Sequence, residues 1–319
     1  MTFHPYVLES DGTVMAWGNG ATGELGNGTK TPFQETPVIV RLPGVATALG
    51  EADQDGAAIV EGHPYVWGDG AKGALCGVTK ADEPVRLEAP QTFVEVQGAG
   101  GHMLWRTADG EVFGCGADND GQLGFAGPKK IDTLTRVPVE DVVQVTAGPL
   151  SSAVRTSAGK ILTFGSNAHG QAGVASGAAK VEIPTEVRLP GAAVDVSAGG
   201  DRPANGQMLA VLADGELCGW GDDEDGQLGD EGDSDATRAP ICGQLRGIET
   251  AVTGDAFSLA LTREGTLLSF GAASEPLCSG RSTEGQLGTG LATGVERRPE
   301  SVESGVHEVQ ATAGESLIR

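Results

Sequence analysis

The chain has 319 residues, of which 51 are glycine and only 4% are aromatic. That composition argues against long helices and for many short strands joined by tight turns, because glycine weakens element interiors yet serves turns that need positive φ. Its 44 acidic against 21 basic side chains leave a formal net charge of −23, which repels phosphate backbones and anionic head groups and speaks against nucleic acid and membranes as partners.

From the N-terminus, "PYVL" reads as a strand, Asp11-Gly12 as a hairpin turn, and "TVMAW" as the returning strand that ends at Gly18. A two-residue hairpin turn needs residues that tolerate positive φ, which Asp-Gly and Glu-Gly supply. The same frame then recurs as "EGHPYVWGDGAKGALC", "DGEVFGCGADNDGQLG", "AGKILTFGSNAHGQAG", "DGELCGWGDDEDGQLG" and "EGTLLSFGAASEPLCSGRSTEGQLG". Anchored on Gly18, Gly68, Gly116, Gly165, Gly221 and Gly271, the copies follow one another at intervals of 50, 48, 49, 56 and 50 residues. Each anchor has a glycine six residues before it, and five have one five residues after it; in the last copy the matching glycine is Gly285, displaced by about nine inserted residues. Ahead of each hairpin strand lies a valine-rich strand such as "VEVQGAG" or "AVDVSAG". A proline-containing stretch such as "IPTEVRLPG" supplies an outer strand, where proline costs least.

Three or four short antiparallel strands per roughly 50 residues form one propeller blade, a unit that cannot bury its faces alone. The expectation is therefore an all-β, six-bladed β-propeller occupying residues 1–319 as a single domain, with a seven-bladed protein as the alternative. The chain starts in a second strand and finishes on "VHEVQATAGESLIR", read as a first strand, so pairing of the N- and C-terminal strands is expected to close the ring.

The frame resembles the signature of the RCC1 repeat superfamily, the regulator-of-chromosome-condensation propellers, most plainly in "GGHMLWRTADGEVFGCGADNDGQLG" and "GDAFSLALTREGTLLSFG". The resemblance implies the RCC1-like propeller fold and a family whose members include a nucleotide exchange factor for a small GTPase, ultraviolet-B photoreceptors, ubiquitin-ligase modules and bacterial β-lactamase inhibitors. This chain lacks a basic tail. Its Trp17, Trp67 and Trp220 occupy the frame's own aromatic position, leaving Trp105 alone elsewhere.

Loops between the first and second strands vary while the frame does not, and they offer His4, Glu51, Asp55, His102, Ser152, Asp201, Arg202, Asn205, Asp255 and Phe257 as a candidate binding ring. His102 stands at the repeat's histidine position, and His4 matches it in the terminal blade; both also suit a buried structural role. The sequence contains no Gly-x-Ser-x-Gly, no phosphate loop and no His-Glu-x-x-His. The reading is a non-catalytic protein-interaction module that presents this ring to a protein partner, a basic one on charge grounds. The alternative is an enzyme or small-molecule binder with its ligand in the axial funnel.

No cofactor or metal is expected. The acidic run Asp222, Asp223, Glu224 and Asp225 fills a turn common to all copies, and Asp230, Glu231, Asp233 and Asp235 continue it as a solvated loop without the spacing of a calcium site. Five scattered cysteines, Cys76, Cys115, Cys218, Cys242 and Cys278, have no Cys-x-x-Cys pairing and read as free thiols, with Cys115 and Cys218 as small buried hydrophobes. No apolar run approaches the roughly 18 to 20 residues of a membrane span. The start "MTFHPYVLESDG" has neither part of a signal peptide, so a cytoplasmic location is expected, or a secreted one if a leader preceded it.

Overall fold

The computed structural model describes residues 4–200, 206–230, 235–272, 287, 295–306, 309–312 and 315–318. All regular structure among these residues is strand. Strands β1 (Tyr6–Leu8), β2 (Val14–Gly20) and β3 (Thr31–Ile39) form a three-stranded sheet in sequence order. Five four-stranded antiparallel sheets follow. They comprise β4 (Ala46–Ala52), β5 (Asp55–Val60), β6 (His63–Gly68) and β7 (Ala81–Arg86); then β8 (Phe93–Ala99), β9 (His102–Thr107), β10 (Val112–Ala117) and β11 (Lys130–Arg136). Next come β12 (Val142–Ala147), β13 (Ser151–Thr156), β14 (Ile161–Ser166) and β15 (Lys180–Glu186); then β16 (Ala193–Gly199), β17 (Gln207–Leu212), β18 (Leu217–Asp222) and β19 (Ala236–Cys242). The last is β20 (Ile248–Thr253), β21 (Phe257–Thr262), β22 (Thr266–Ala272) and β23 (Val295–Ser304), after which β24 (Val309–Thr312) pairs with β25 (Glu315–Ile318).

By frame position β24 is the first strand that β1–β3 lack, which makes six blades. The described partner of β24 is β25 and that of β1 is β2. Pairing of the terminal strands is thus not among the described ladders. The chain divides into two compact units, residues 1–145 and 146–319, with the boundary inside β12.

The hairpins between second and third strands come in two lengths. Val60 pairs with His63 across Glu61 and Gly62, both at positive φ, so this turn has the expected two residues. Elsewhere the turn has three, as at Ala108-Asp109-Gly110, where the Thr107 amide donates to Glu111 and the Gly110 amide donates back to Thr107. Glycine closes both, because each needs positive φ at its final residue.

Within each unit the core lies between successive sheets. Val14, Ala16, Leu25 and Val40 pack against Ala58, Val60 and Trp67 of the next sheet, and Leu209, Val211 and Leu228 against Ile248, Ala260 and Phe270. A recurring clasp sits in these seams. The Trp67 indole donates to the carbonyl of Glu24 at 2.9 Å, and Trp220 donates to that of Gln171 at 3.1 Å. In each case the ring lies over the glycine that ends the preceding copy's Gly-x-x-Gly: a methyl on Gly26 would fall 2.9 Å from Trp67, and one on Gly173 2.7 Å from Trp220. Phe270 covers Gly229 in the same way, with a methyl there 3.1 Å from the ring.

First strands are stitched to each other by polar side chains. Asp195 accepts hydrogen bonds from the Thr250 hydroxyl at 2.6 Å and the Ala251 amide at 3.3 Å, while Glu95 accepts from the Val145 amide at 3.2 Å and from Arg106 at 2.5 Å. A half-buried carboxylate in such a place needs these donors, since an unpaired one costs its full desolvation.

The free-thiol expectation is overturned. Cys76–Cys115 and Cys218–Cys242 are disulfides, with Cα atoms 5.2 and 4.1 Å apart. Sequence separations of 39 and 24 residues hid this: the first bond crosses the seam between two sheets, and the second joins opposed residues of β18 and β19. Cys115 and Cys218 are nevertheless fully buried on strands. Cys278 lies outside the described residues.

Candidate functional site

The anchor glycines place one residue of each second strand directly opposite them. Asp55 faces Gly68, His102 faces Gly116, Ser151 faces Gly165, Gln207 faces Gly221 and Phe257 faces Gly271. In the first sheet, Tyr6 faces Ala16, which sets His4 against Gly18. All six side chains are buried.

His102 is fully buried and accepts burial as a neutral ring: desolvation drives its pKa down to about 4, opposed by a hydrogen bond to the Ala99 backbone. The His4 ring tilts against Tyr6 at 5.6 Å, and neither of its nitrogens has a hydrogen-bond partner among the described residues. Asp55 accepts the Gly70 amide at 2.8 Å, and burial raises its pKa to about 7. Glu51 is half-buried on the same hairpin, opposite Gly56. The negative charges of Glu51 and Asp55, after burial itself, hold the Tyr6 phenol well above its usual range; that hydroxyl donates to the Glu24 carbonyl also used by Trp67.

Ser152 is fully buried on β13, one residue past the position equivalent to His102. Asp255 is buried in the turn that the Gly254 amide closes on the Phe257 carbonyl. The Phe257 ring lies over Gly254, where a methyl would come within 2.1 Å of it. Asp201, Arg202 and Asn205 lie outside the described residues.

Glu51 with Asp55, and Asp255 with Phe257, are thus brought together in single hairpins. Gln207 connects one loop to the next, donating from Nε2 to the Gly254 carbonyl at 3.0 Å. The sequence reading missed Gln207 and chose Ser152 over Ser151. Spacing held the signal: five of the six facing residues lie fourteen positions before their anchor glycine, and Asp55 lies thirteen before because its turn is one residue shorter.

The acidic stretch that follows β18 is structural at its start. Asp223 Oδ1 accepts the Leu228 amide at 2.9 Å, as Asp118 accepts Leu123 and Asn167 accepts Ala172. Asp222 Oδ2 accepts Gln227 Nε2 at 2.8 Å. Glu224 is exposed, whereas Glu231 and Asp233 lie outside the described residues. No cluster of three metal-ligating side chains occurs among the described residues.

Burial raises the pKa of Asp222 to about 6 and of Asp223 to about 8. Folded-state values above the unfolded one mean that the folded chain holds these protons longer. Their stabilising contribution is full below the usual carboxylate value of about 4 and is lost progressively as pH rises to about 6 for Asp222 and about 8 for Asp223. His102 acts oppositely, losing its contribution as pH falls toward about 4. The melting temperature is therefore expected to fall between pH 6.5, above which His102 no longer contributes a change, and pH 8.5. Asp223→Asn keeps the acceptor for Leu228 and should raise the pH 8.5 value by about 3 °C or more, with a smaller rise at pH 5. Equal shifts at both pH values would show that the carboxyl's protonation is immaterial.

Repeated antiparallel sheets, seated on their neighbours in three seams through a glycine and an aromatic ring, define a propeller-type repeat scaffold. No protein-family model matches the sequence. An alignment 274 positions long, covering 81% of this chain and only 6% of the relative, is 31% identical to the E3 ubiquitin-protein ligase HERC2 of Homo sapiens. The human Regulator of chromosome condensation is 26% identical over 254 residues, 72% of this chain and 55% of its own length. Among solved structures, Prp20p of Saccharomyces cerevisiae superposes with a TM-score of 0.81 at 20% identity, covering 99% of this chain and 79% of that one. Human WBSCR16 follows at 0.74 and 20%, covering 94% and 96%. The chain belongs to the RCC1 repeat superfamily, and its fold is that of the RCC1-like propellers. It spans about half the length of one curated relative and a small fraction of the other.

Proposed function

We propose that the chain is a non-catalytic protein-interaction module that binds a basic protein partner through the loops between first and second strands and their acidic surroundings. The observation that carries this reading is its membership of a superfamily whose yeast member Prp20p was solved for its binding to Gsp1p and histones, and again with Kap60 bound. The charge of −23 supports a basic partner, because complementary potentials raise association rates and fall with salt. Burial of the facing residues supports a division of labour in which these side chains hold the loops in shape. Partner contact then falls to exposed groups such as Glu224.

Core histones are a suitable basic probe. Immobilised protein should bind them at about 50 mM salt and lose affinity at least tenfold by about 300 mM, and Glu224→Gln with Asp225→Asn should slow association. Absence of binding at low salt, or binding insensitive to salt, would count against a basic partner.

A further inference from the structure

Both members of the Cys76–Cys115 bond depart from the repeat, and they depart at two positions that touch each other in three other seams. Cys76 ends "GALC" where the remaining copies have glycine, among them Gly26, Gly124, Gly173 and Gly229, with Gly288 in the last copy. The first four of these glycines have φ between 58° and 76°, and Cys76 adopts φ 52°, so it bears a side chain in a conformation that favours glycine. Cys115 stands at the frame's aromatic position, held elsewhere by Trp17, Trp67, Phe164, Trp220 and Phe270. In three seams the aromatic ring lies on the glycine of the preceding copy. In this seam the ring is gone, the glycine is gone, and a sulfur occupies each place.

We infer that the Cys76–Cys115 disulfide is a covalent substitute for the aromatic-on-glycine clasp, and that it makes the seam between the β4–β7 and β8–β11 sheets sensitive to redox conditions. A lone cysteine at either position would weaken the seam: Cys115 is far smaller than tryptophan, and Cys76 gains nothing from its unfavourable backbone. Paired, they restore the connection by a bond. Cys115 sits in the hydrophobic cluster that both sheets share, with Cys76 packed partly buried at its edge. Formation removes two protons and two electrons from the two thiols, and a small-molecule disulfide is the oxidant, leaving as two thiols by exchange at the more accessible Cys76. Reduction by a dithiol reverses the step and leaves the seam with neither clasp nor bond.

The test uses the full-length chain and the interchange of the two clasps. After acid quenching and alkylation of protein purified without reductant, non-reducing peptide mapping should recover Cys76 linked to Cys115. A phosphine reductant should lower the melting temperature by roughly 5 °C or more. The variant that rebuilds the clasp, Cys76→Gly with Cys115→Trp, should melt near the oxidised parent. It should also lose most of the response to reductant, and what remains belongs to Cys218–Cys242. Cys76→Gly with Cys115→Phe serves as a second rebuilt pair. Recovery of alkylated Cys76 and Cys115 from the oxidised preparation would overturn the inference. So would an undiminished reductant response in the rebuilt variants, or failure of both to fold, since the two clasps would then not be interchangeable.

Discussion

Gly116→Ala is expected to lower the melting temperature by about 10 °C, the consequence of a loss of roughly 4 kcal/mol or more. Two effects combine at this anchor. Its φ is 109°, a conformation that an alanine side chain strongly disfavours. A methyl group there would also lie 2.4 Å from the carbonyl oxygen of Gly101 and 2.7 Å from the α-carbon of His102, both backbone atoms that move only with the hairpin. Gly177 is the control: it is exposed, and no atom lies within 4 Å of the position its methyl would take. Gly177→Ala should leave the melt unchanged to within about 0.5 kcal/mol. If Gly116→Ala melts with Gly177→Ala in a circular dichroism scan, the anchor role assigned to this glycine is wrong.

Trp67→Ala should cost about 3 to 5 kcal/mol in urea denaturation, the usual range for emptying a buried aromatic site. The indole is fully buried, lies over Gly26 and Gly56, and meets Tyr6 edge-on at 5.6 Å. Trp67→Phe retains most of the apolar contact but forfeits the hydrogen bond to Glu24, so about 1 to 2 kcal/mol is expected. The Glu24 carbonyl would still accept from Tyr6, which holds that loss to the lower part of the range. Equal values for the two variants would mean that ring volume carries nothing, contrary to the seam described above.

The repeat frame could be read from the chain because its cause is local. Gly18 through Gly271 mark a backbone conformation, the Asp-Gly pairs mark hairpins, and the alternating segments mark strands; each requirement is met within a few residues. Even the displaced last copy was aligned correctly: the Leu287 carbonyl accepts the Ser269 hydroxyl at 2.7 Å, as the Ala172 carbonyl accepts Thr163 at 2.5 Å. The thiol reading failed because pairing depends on contacts between successive copies. Cys76 and Cys115 were visible as departures from the frame, yet nothing in the frame says that its last glycine meets the next copy's aromatic residue. Gln207 was overlooked for a related reason. It sits at the histidine position by register, while attention to loop composition favoured Asn205 beside it.

The clasp also has a direction. In the seams at Gly26 and Trp67, Cys76 and Cys115, Gly173 and Trp220, and Gly229 and Phe270, the seat belongs to the earlier copy and the inserted group to the later one. In these pairs the later copy therefore overlaps the earlier one, like roof shingles laid from the N-terminus. During synthesis, a later copy in any of these pairs leaves the ribosome to find its seat already present in the chain, so assembly can proceed copy by copy without waiting for the C-terminus.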